Sequence, residues 1–296
     1  AKIATVLALA RYLSKRNQDL DRVRTFLPPV LLVCLPALLV YRQPDLGTAL
    51  VFGAILLPML FWAGLRPMVL FFIAAPFLSL VCAFNPLALG VMLVVLVGVI
   101  FWTRPRLSAI LLIAVVNLTV AVGAPYLFYH KLHDYQQRRI LTFLNPDIDK
   151  LGAGYQVIQS RVAIGSGGLS GKGLLQGTQT KLAFLPEQHT DFIFSVVGEE
   201  FGFIGATAVL ALLLFIIWRA VHIAVVVKSR FSSLVAIGLG SILIFHVFVN
   251  IGMTIGVMPV TGLPLPFLSY GGSPLVTNMV LVGFLLNIHA RKHEYY

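Results

Sequence analysis

Only eleven of the 296 residues are acidic, and four of those acids stand where an acid is expensive. Asp45, Asp191, Glu199 and Glu200 lie at or inside long apolar stretches. A carboxylate at membrane depth costs at least about 2.5–3.5 kcal/mol on insertion scales, so such groups face a wet cavity or a partner. Asp191 is the most suggestive of the four. It follows Pro186-Glu187-Gln188-His189-Thr190, a run of polar groups set against the start of an apolar segment. An acid there is kept ionised by the helix macrodipole. It could cap the helix and nothing more, or act as general base toward an arriving hydroxyl group. Glu199 and Glu200, two to three turns deeper, read equally well as a buried ion pair or as functional acids.

Upstream, Gly165-Ser166-Gly167-Gly168-Leu169-Ser170-Gly171-Lys172-Gly173 invites a phosphate-loop reading. The strict pattern fails, because Ser166 stands where its first glycine belongs and Gly173 follows Lys172 in place of Ser or Thr. The looser physics survives. Glycine-rich backbone offers N–H groups, and Arg161, Lys172 and Lys181 offer charge, which together suit a pyrophosphate or phospholipid head. The alternative is a loop with solvated charges. Other candidates are weak. His130 and His133 share a helical spacing but lack a third ligand, so no metal site is expected. Asp134, Asp147 and Asp149 lie beside Arg138, Arg139 and Lys150 and read as surface charge balance. Asn117-Leu118-Thr119 is a sequon inside an apolar span, and Cys34 and Cys82, also in spans, say nothing of redox compartment.

The elements that must position these groups are membrane helices. Hydrophobic residues make up 58% of the chain and charged ones 11%, with a mean hydropathy of +0.92. A water-soluble domain needs about a quarter of its residues charged. Apolar stretches near 26–41, 46–64, 68–84, 86–102, 107–129, 192–218, 233–257 and 268–289, with a shorter one at 3–13, predict about nine helices. Lipid leaves no partner for open strand edges, so the fold class is all-α, a polytopic transmembrane bundle. The organisation expected is one membrane domain over 1–296: helices in 1–129, a long loop over 130–190, and closing helices in 191–296.

The net charge of +11 sits in short links between spans, which is a topology pattern rather than a nucleic-acid surface. Links holding Arg11, Lys15, Arg66, Arg104, Arg219, Lys228 and Arg291 fall on one side, while Arg42 alone represents the other. The positive-inside rule then places the 130–190 loop outside and the C-terminus in the cytoplasm. No cleavable signal peptide is visible in Ala1 to Arg16.

Four segments carry a family resemblance: Gln43-Pro44-Asp45-Leu46-Gly47-Thr48; Gly152 to Gln156 through Gly165 to Leu169; Leu185 to Phe194; and Gly262-Leu263-Pro264-Leu265-Pro266-Phe267-Leu268-Ser269-Tyr270-Gly271-Gly272-Ser273. With these motifs in this order the chain resembles the SEDS family (shape, elongation, division and sporulation), its RodA branch more than its FtsW branch. The resemblance implies a peptidoglycan glycosyltransferase of the bacterial cytoplasmic membrane that polymerises lipid II at the outer face for elongation and rod shape. It implies Asp191 as catalytic residue, taking a proton from the acceptor's 4-hydroxyl while undecaprenyl pyrophosphate leaves and the anomeric carbon inverts. Lys2, Gln159, Ser160, Arg161 and Lys172 match its cavity residues, and Glu187, His189 and Thr190 flank the acid as further substrate-binding candidates. A class B penicillin-binding protein is the implied transpeptidase partner, alongside other membrane proteins of the elongation machinery. No cofactor is required by this chemistry, and a divalent cation stays open.

The family pattern also implies about three further helices ahead of Ala1, and the hairpin 68–84/86–102 looks additional to shorter relatives. Two rival functions remain: a lipid II flippase using Glu199, Glu200 and His246 as a pathway, and a non-catalytic scaffold for the penicillin-binding protein.

Overall fold

A computed structural model describes residues 1–15, 23–43, 45–131, 137, 153–181 and 187–292. Asp134, Asp147, Asp149, His133 and the 182–186 part of the motif before Asp191 lie outside the described residues, as does the Lys181 side chain. The described elements are all helical: α1 (Lys2–Leu13), α2 (Val23–Tyr41), α3 (Leu46–Trp62), α4 (Pro67–Cys82), α5 (Pro86–Thr103), α6 (Leu107–Lys131), α7 (Ala153–Ser166), α8 (Thr178–Lys181), α9 (Ile193–Val226), α10 (Arg230–Thr254) and α11 (Gly272–Ala290). Five apolar helices, 86–103, 109–126, 193–226, 230–254 and 272–290, are long enough to cross a bilayer, with shorter apolar helices at 27–41, 46–62 and 67–80. The protein is a multi-pass membrane helix bundle. The segment 130–190, expected as loop, contains a fourteen-residue helix in α7.

Helix starts follow local chemistry. Pro67 and Pro86 occupy first positions, where no N–H is needed. Asn85 Oδ1 accepts from the N–H groups of Leu87 and Ala88 at 3.0 and 3.2 Å. Asp45, one of the four costly acids, caps α3 by accepting from the Thr48 N–H at 2.9 Å.

The chain divides into two compact units, 64–137 and 1–63 with 138–296. The smaller unit packs α4, α5 and α6 around Ala75, Met92 and Leu96. Inside it Ser79 donates to Asn117 Oδ1 at 2.9 Å, and Asn117 Nδ2 donates to the Ile113 carbonyl at 2.8 Å. The sequon asparagine is therefore a buried helix-pairing residue, because an unpaired amide in an apolar interior would be costly.

The larger unit is built around α10, which is buried on most of its circumference. It packs against α9, α3, α1, α11 and α7. Small residues allow close approach: a Cβ on Gly238 would sit 2.5 Å from Val6 Cγ1 and 2.7 Å from Met59 Sδ. Trp62 Nε1 donates to Ser233 Oγ at 2.8 Å, and Arg230 donates to the Ala63 carbonyl at 3.0 Å. These bonds pin the end of α3 to the start of α10, far along the helices from Asp45 and Thr254.

Candidate active site

The opposite end of α10 gathers the residues that chemistry would need. The segment from Ile255 to Gly271 leaves α10 and runs back over its end before α11 begins. Its prolines at 259, 264 and 266 supply no N–H and prevent helix. Gly262, at φ 74°, lies against the acid: a Cβ there would sit 3.4 Å from Asp191 Oδ2. The turn before α9 is bonded to the same segment. The Tyr270 N–H donates to the His189 carbonyl at 2.8 Å, and the Ser269 hydroxyl donates to the Thr190 carbonyl at 2.6 Å while accepting from the Leu265 N–H at 2.7 Å. Asn250 donates from Nδ2 to the carbonyls of both Asp191 and Leu263, at 2.9 and 2.8 Å.

Two more motifs meet here. A Cβ on Gly47 would stand 2.6 Å from the Thr261 carbonyl, so the Asp45–Thr48 motif abuts the segment that holds Asp191. Lys2 Nζ contacts His246 Nε2 at 3.1 Å, and His246 Nδ1 contacts the Pro264 carbonyl at 3.1 Å. Asp45 is an electrostatic neighbour of Lys2. Asp191 itself is half-buried, and the cap position of α9 is held by Phe192, which has no side-chain acceptor. In front of it, Thr190 Oγ1 donates to Glu187 Oε2 at 2.8 Å. Glu187 and His189 are exposed, and Glu187 adopts a left-handed φ of 55°.

Other candidates are placed differently. Ser160 is fully buried: its hydroxyl donates to the Thr254 carbonyl at 2.6 Å and pairs with Ser195 Oγ at 2.6 Å. It joins α7, α9 and α10 and cannot meet a ligand where it stands. Gln159 beside it is half-buried. Arg161 is exposed, and donates from Nε and Nη2 to the carbonyls of Ile255 and Gly256 at 3.0 and 2.9 Å. It satisfies the carbonyl end of α10 with a permanent charge at the rim of the same mouth.

The glycine loop is not a phosphate cradle. The N–H groups of its lysine and of the glycine that follows are engaged: Lys172 and Gly173 donate to the carbonyls of Glu199 and Glu200, both at 3.0 Å. In return Phe203 and Ile204 donate to the carbonyls of Gly168 and Leu169 at 2.9 and 3.1 Å. This two-way seam exists because α9 breaks at Gly202 (φ 65°, ψ −163°), freeing backbone groups that must find partners. The glycines permit contact at backbone distance, since a Cβ on Gly171 would collide with the Glu200 carbonyl. Lys172 is likewise engaged, with Glu199 Oε1 at 2.8 Å and Thr178 Oγ1 at 2.8 Å. The same oxygen accepts from Thr178 Oγ1 at 3.1 Å and from the Gln179 N–H at 3.0 Å. Glu199 is the buried structural ion pair, and the sequence alone left that reading level with the functional one.

An apolar groove of about 400 Å³ runs between α7 and α9, lined by Ile164, Gly168, Phe194, Gly198, Phe203 and Leu210 among others. It suits a hydrocarbon chain rather than a sugar. Among the described residues no group of three or more His, Cys, Asp or Glu could hold a metal ion. Sequence reasoning passed over Asn250 and Ser269, and cited His246 only as a transport-pathway residue. A polar residue four positions after His246 on an otherwise apolar helix was the available signal.

The described residues form a multi-pass membrane helix bundle in which an acid is held, through Asn250 and Gly262, against the segment that follows α10. The family model for FtsW, RodA and SpoVE, described as cell cycle protein, matches residues 1–90 and 77–294, and the chain belongs to that family. It is 40% identical over 292 residues to the peptidoglycan glycosyltransferase MrdB of Escherichia coli K12, covering 99% of this chain and 67% of that protein. The peptidoglycan glycosyltransferase RodA of Treponema pallidum is 38% identical over 321 residues, with 99% and 74% covered. Among solved structures, one described as "Structural coordination of polymerization and crosslinking by a peptidoglycan synthase complex" superposes with a TM-score of 0.70 at 31% identity, covering all of this chain and 70% of its own. The rod shape determining protein RodA of Thermus thermophilus superposes at 0.57 with 27% identity, covering all of this chain and 65% of its own. The chain thus spans about two thirds to three quarters of these relatives.

Proposed function

We propose that this chain is the membrane domain of a peptidoglycan glycosyltransferase of cell elongation and rod shape, polymerising lipid II with Asp191 as general base. The observation that carries the reading is that Asp191 and Arg161 meet the segment 255–271 directly, while Lys2 is linked to it through His246. Asp191 takes the proton of the acceptor's 4-hydroxyl as that oxygen bonds to the donor's anomeric carbon. The bond from that carbon to the pyrophosphate oxygen breaks, its electron pair leaves with undecaprenyl pyrophosphate, and attack from the opposite face inverts the configuration. A pyrophosphate leaving group needs charge stabilisation more than a proton, so one base with cations is chemically sufficient. Lys2 and Arg161 supply that charge at the mouth, while Gln159, Glu187, His189 and Thr190 line the approach. Ser160 and Lys172 are assigned to the scaffold.

The protein lies in the bacterial cytoplasmic membrane with its mouth outward and its C-terminus cytoplasmic, as the distribution of basic links supports. Its partner is a class B penicillin-binding protein, within an assembly that includes other elongation proteins. The related synthase-complex structure supports that pairing. The flippase reading loses two of its three residues, since Glu199 is committed to Lys172 and His246 to Lys2.

The test is polymerisation of lipid II by the full-length protein with its partner, comparing wild type with Asp191→Asn. Losing a positioned base lowers the rate by about 10²–10⁴-fold. Equal polymer from both would remove Asp191 from the mechanism. No polymer from either, beside an active transpeptidase, would restore the flippase.

A further inference from the structure

We propose that His246 and Asn250 are positioning residues that set the register between the base Asp191 and the cation Lys2. The proposal rests on the glycosyltransferase reading above.

The two residues lie four apart on α10, so they present side chains on one face, one turn above the other. Each is bonded to one of two consecutive carbonyls in the re-entrant segment, Asn250 to Leu263 and His246 to Pro264. Each also bonds one of the two charged residues, Asn250 at the backbone of Asp191 and His246 at the ammonium of Lys2. Asn250 donates to the Asp191 carbonyl at 2.9 Å, and His246 Nε2 meets Lys2 Nζ at 3.1 Å. The acid comes from the turn before α9 and the cation from α1, which are remote in sequence. Both are referred to the same two peptide units by the same turn of helix.

The atoms leave little freedom in this arrangement. An ammonium group only donates, so His246 Nε2 accepts from Lys2, and Nδ1 carries the ring proton toward the Pro264 carbonyl. The imidazole is neutral, with its tautomer fixed from both sides. Asn250 is fully buried. Both its acceptors are carbonyls, which fixes Nδ2 toward them and Oδ1 away. That oxygen is buried without a partner among the described residues. Leaving an acceptor unmet costs about 1–3 kcal/mol. A residue chosen for packing alone would avoid that cost, which points to the two donated bonds as the purpose of Asn250. Proline at 264 sharpens the device, since its ring stiffens the segment between the two anchored carbonyls. A displacement of about 1 Å at a reacting group can cost about 10²-fold in rate, so the register is worth holding.

The test uses full-length protein with its partner, lipid II as substrate, and kcat, KM and thermal stability read together. Asn250→Asp keeps the shape but cannot donate, and His246→Leu keeps bulk without hydrogen bonds. Each is expected to lower kcat by roughly ten- to hundred-fold with KM within about two-fold. His246→Gln, whose amide offers one donor and one acceptor, is expected to recover most of the loss. In a Lys2→Met background, His246→Leu should add little further loss, because its target is gone. Folded Asn250→Asp and His246→Leu variants with wild-type kcat would overturn the proposal, as would equal losses in His246→Leu and His246→Gln. If Asn250→Asp does not fold, the His246 pair and the Lys2 background decide alone. An active Asp191→Asn would instead overturn the general-base reading, whatever the α10 variants do.

Discussion

Two polar regions meet the same end of the bundle and put their backbones to opposite uses. The glycine segment 165–173 gives the N–H groups of Lys172 and Gly173 to the broken helix α9, and its lysine side chain to Glu199. The segment 255–271 presents carbonyls, which accept from His246 and Asn250 of α10 and from Arg161 of α7. The first is a seam and the second a mouth. Glycine-rich sequence with lysine is thus no sign of an anion site until the fate of its N–H groups is known. A helix break in a membrane makes that demand on its neighbour, because no water is present to meet it.

The contrast can be broken from either side, and the two sides should fail differently. Asp191→Asn is expected to leave thermal stability near wild type while abolishing most polymerisation. Gly171→Ala should do the reverse, blocking assembly, because its Cβ collides with the Glu200 carbonyl at a φ of 80°. Its yield of folded protein should be near zero by size-exclusion chromatography. A stable, active Gly171→Ala would mean that the seam is looser than described.

A smaller effect is expected at the ion pair. Glu199→Gln leaves Lys172 facing a neutral group and should cost about 3 kcal/mol, less than a fully buried pair because Lys172 is 27% exposed. Adding Lys172→Met should recover part of that stability, read as a rise in the unfolding midpoint. If the double variant is no better than the single one, the pair is not what Glu199 serves. Ser160→Ala removes the hydroxyl that joins α7 to α9 and α10, and should cost about 1–2 kcal/mol with kcat unchanged in the folded fraction. A specific loss of kcat there would return Ser160 to the substrate site. The smallest effect belongs to the far end of the bundle. Trp62→Phe loses one bond to Ser233, and should lower stability by about 1 kcal/mol without touching the chemistry.

Much of the fold was legible because lipid imposes a strict rule on sequence. Apolar length and backbone satisfaction leave helix as the only element, so the spans near 46–64, 86–102 and 107–129 fell close to α3, α5 and α6. The exceptions have local causes. Helix α9 runs to Val226, beyond the expected 218, since Arg219 and His222 can be carried within a helix whose end lies near the interface. Helix α7 was missed because Ala153–Ser166 is too polar and too short to register as a span.

The candidate site divides in the same way. Asp191 stood out because a carboxylate beside an apolar run is costly and so asks for a reason. Composition alone also set the fold class and drew attention to Arg161 and Lys172, whereas Lys2 entered only through the family resemblance. Which group each cation meets was decided only by tertiary contact. Lys172 lies within reach of Glu199, whereas Lys2 meets a neutral imidazole that accepts from it while the ring's other nitrogen is taken up by a backbone carbonyl. Charge is visible in a sequence, but its neutralisation depends on a partner brought close by packing, and hydrogen bonds act only over about 3 Å.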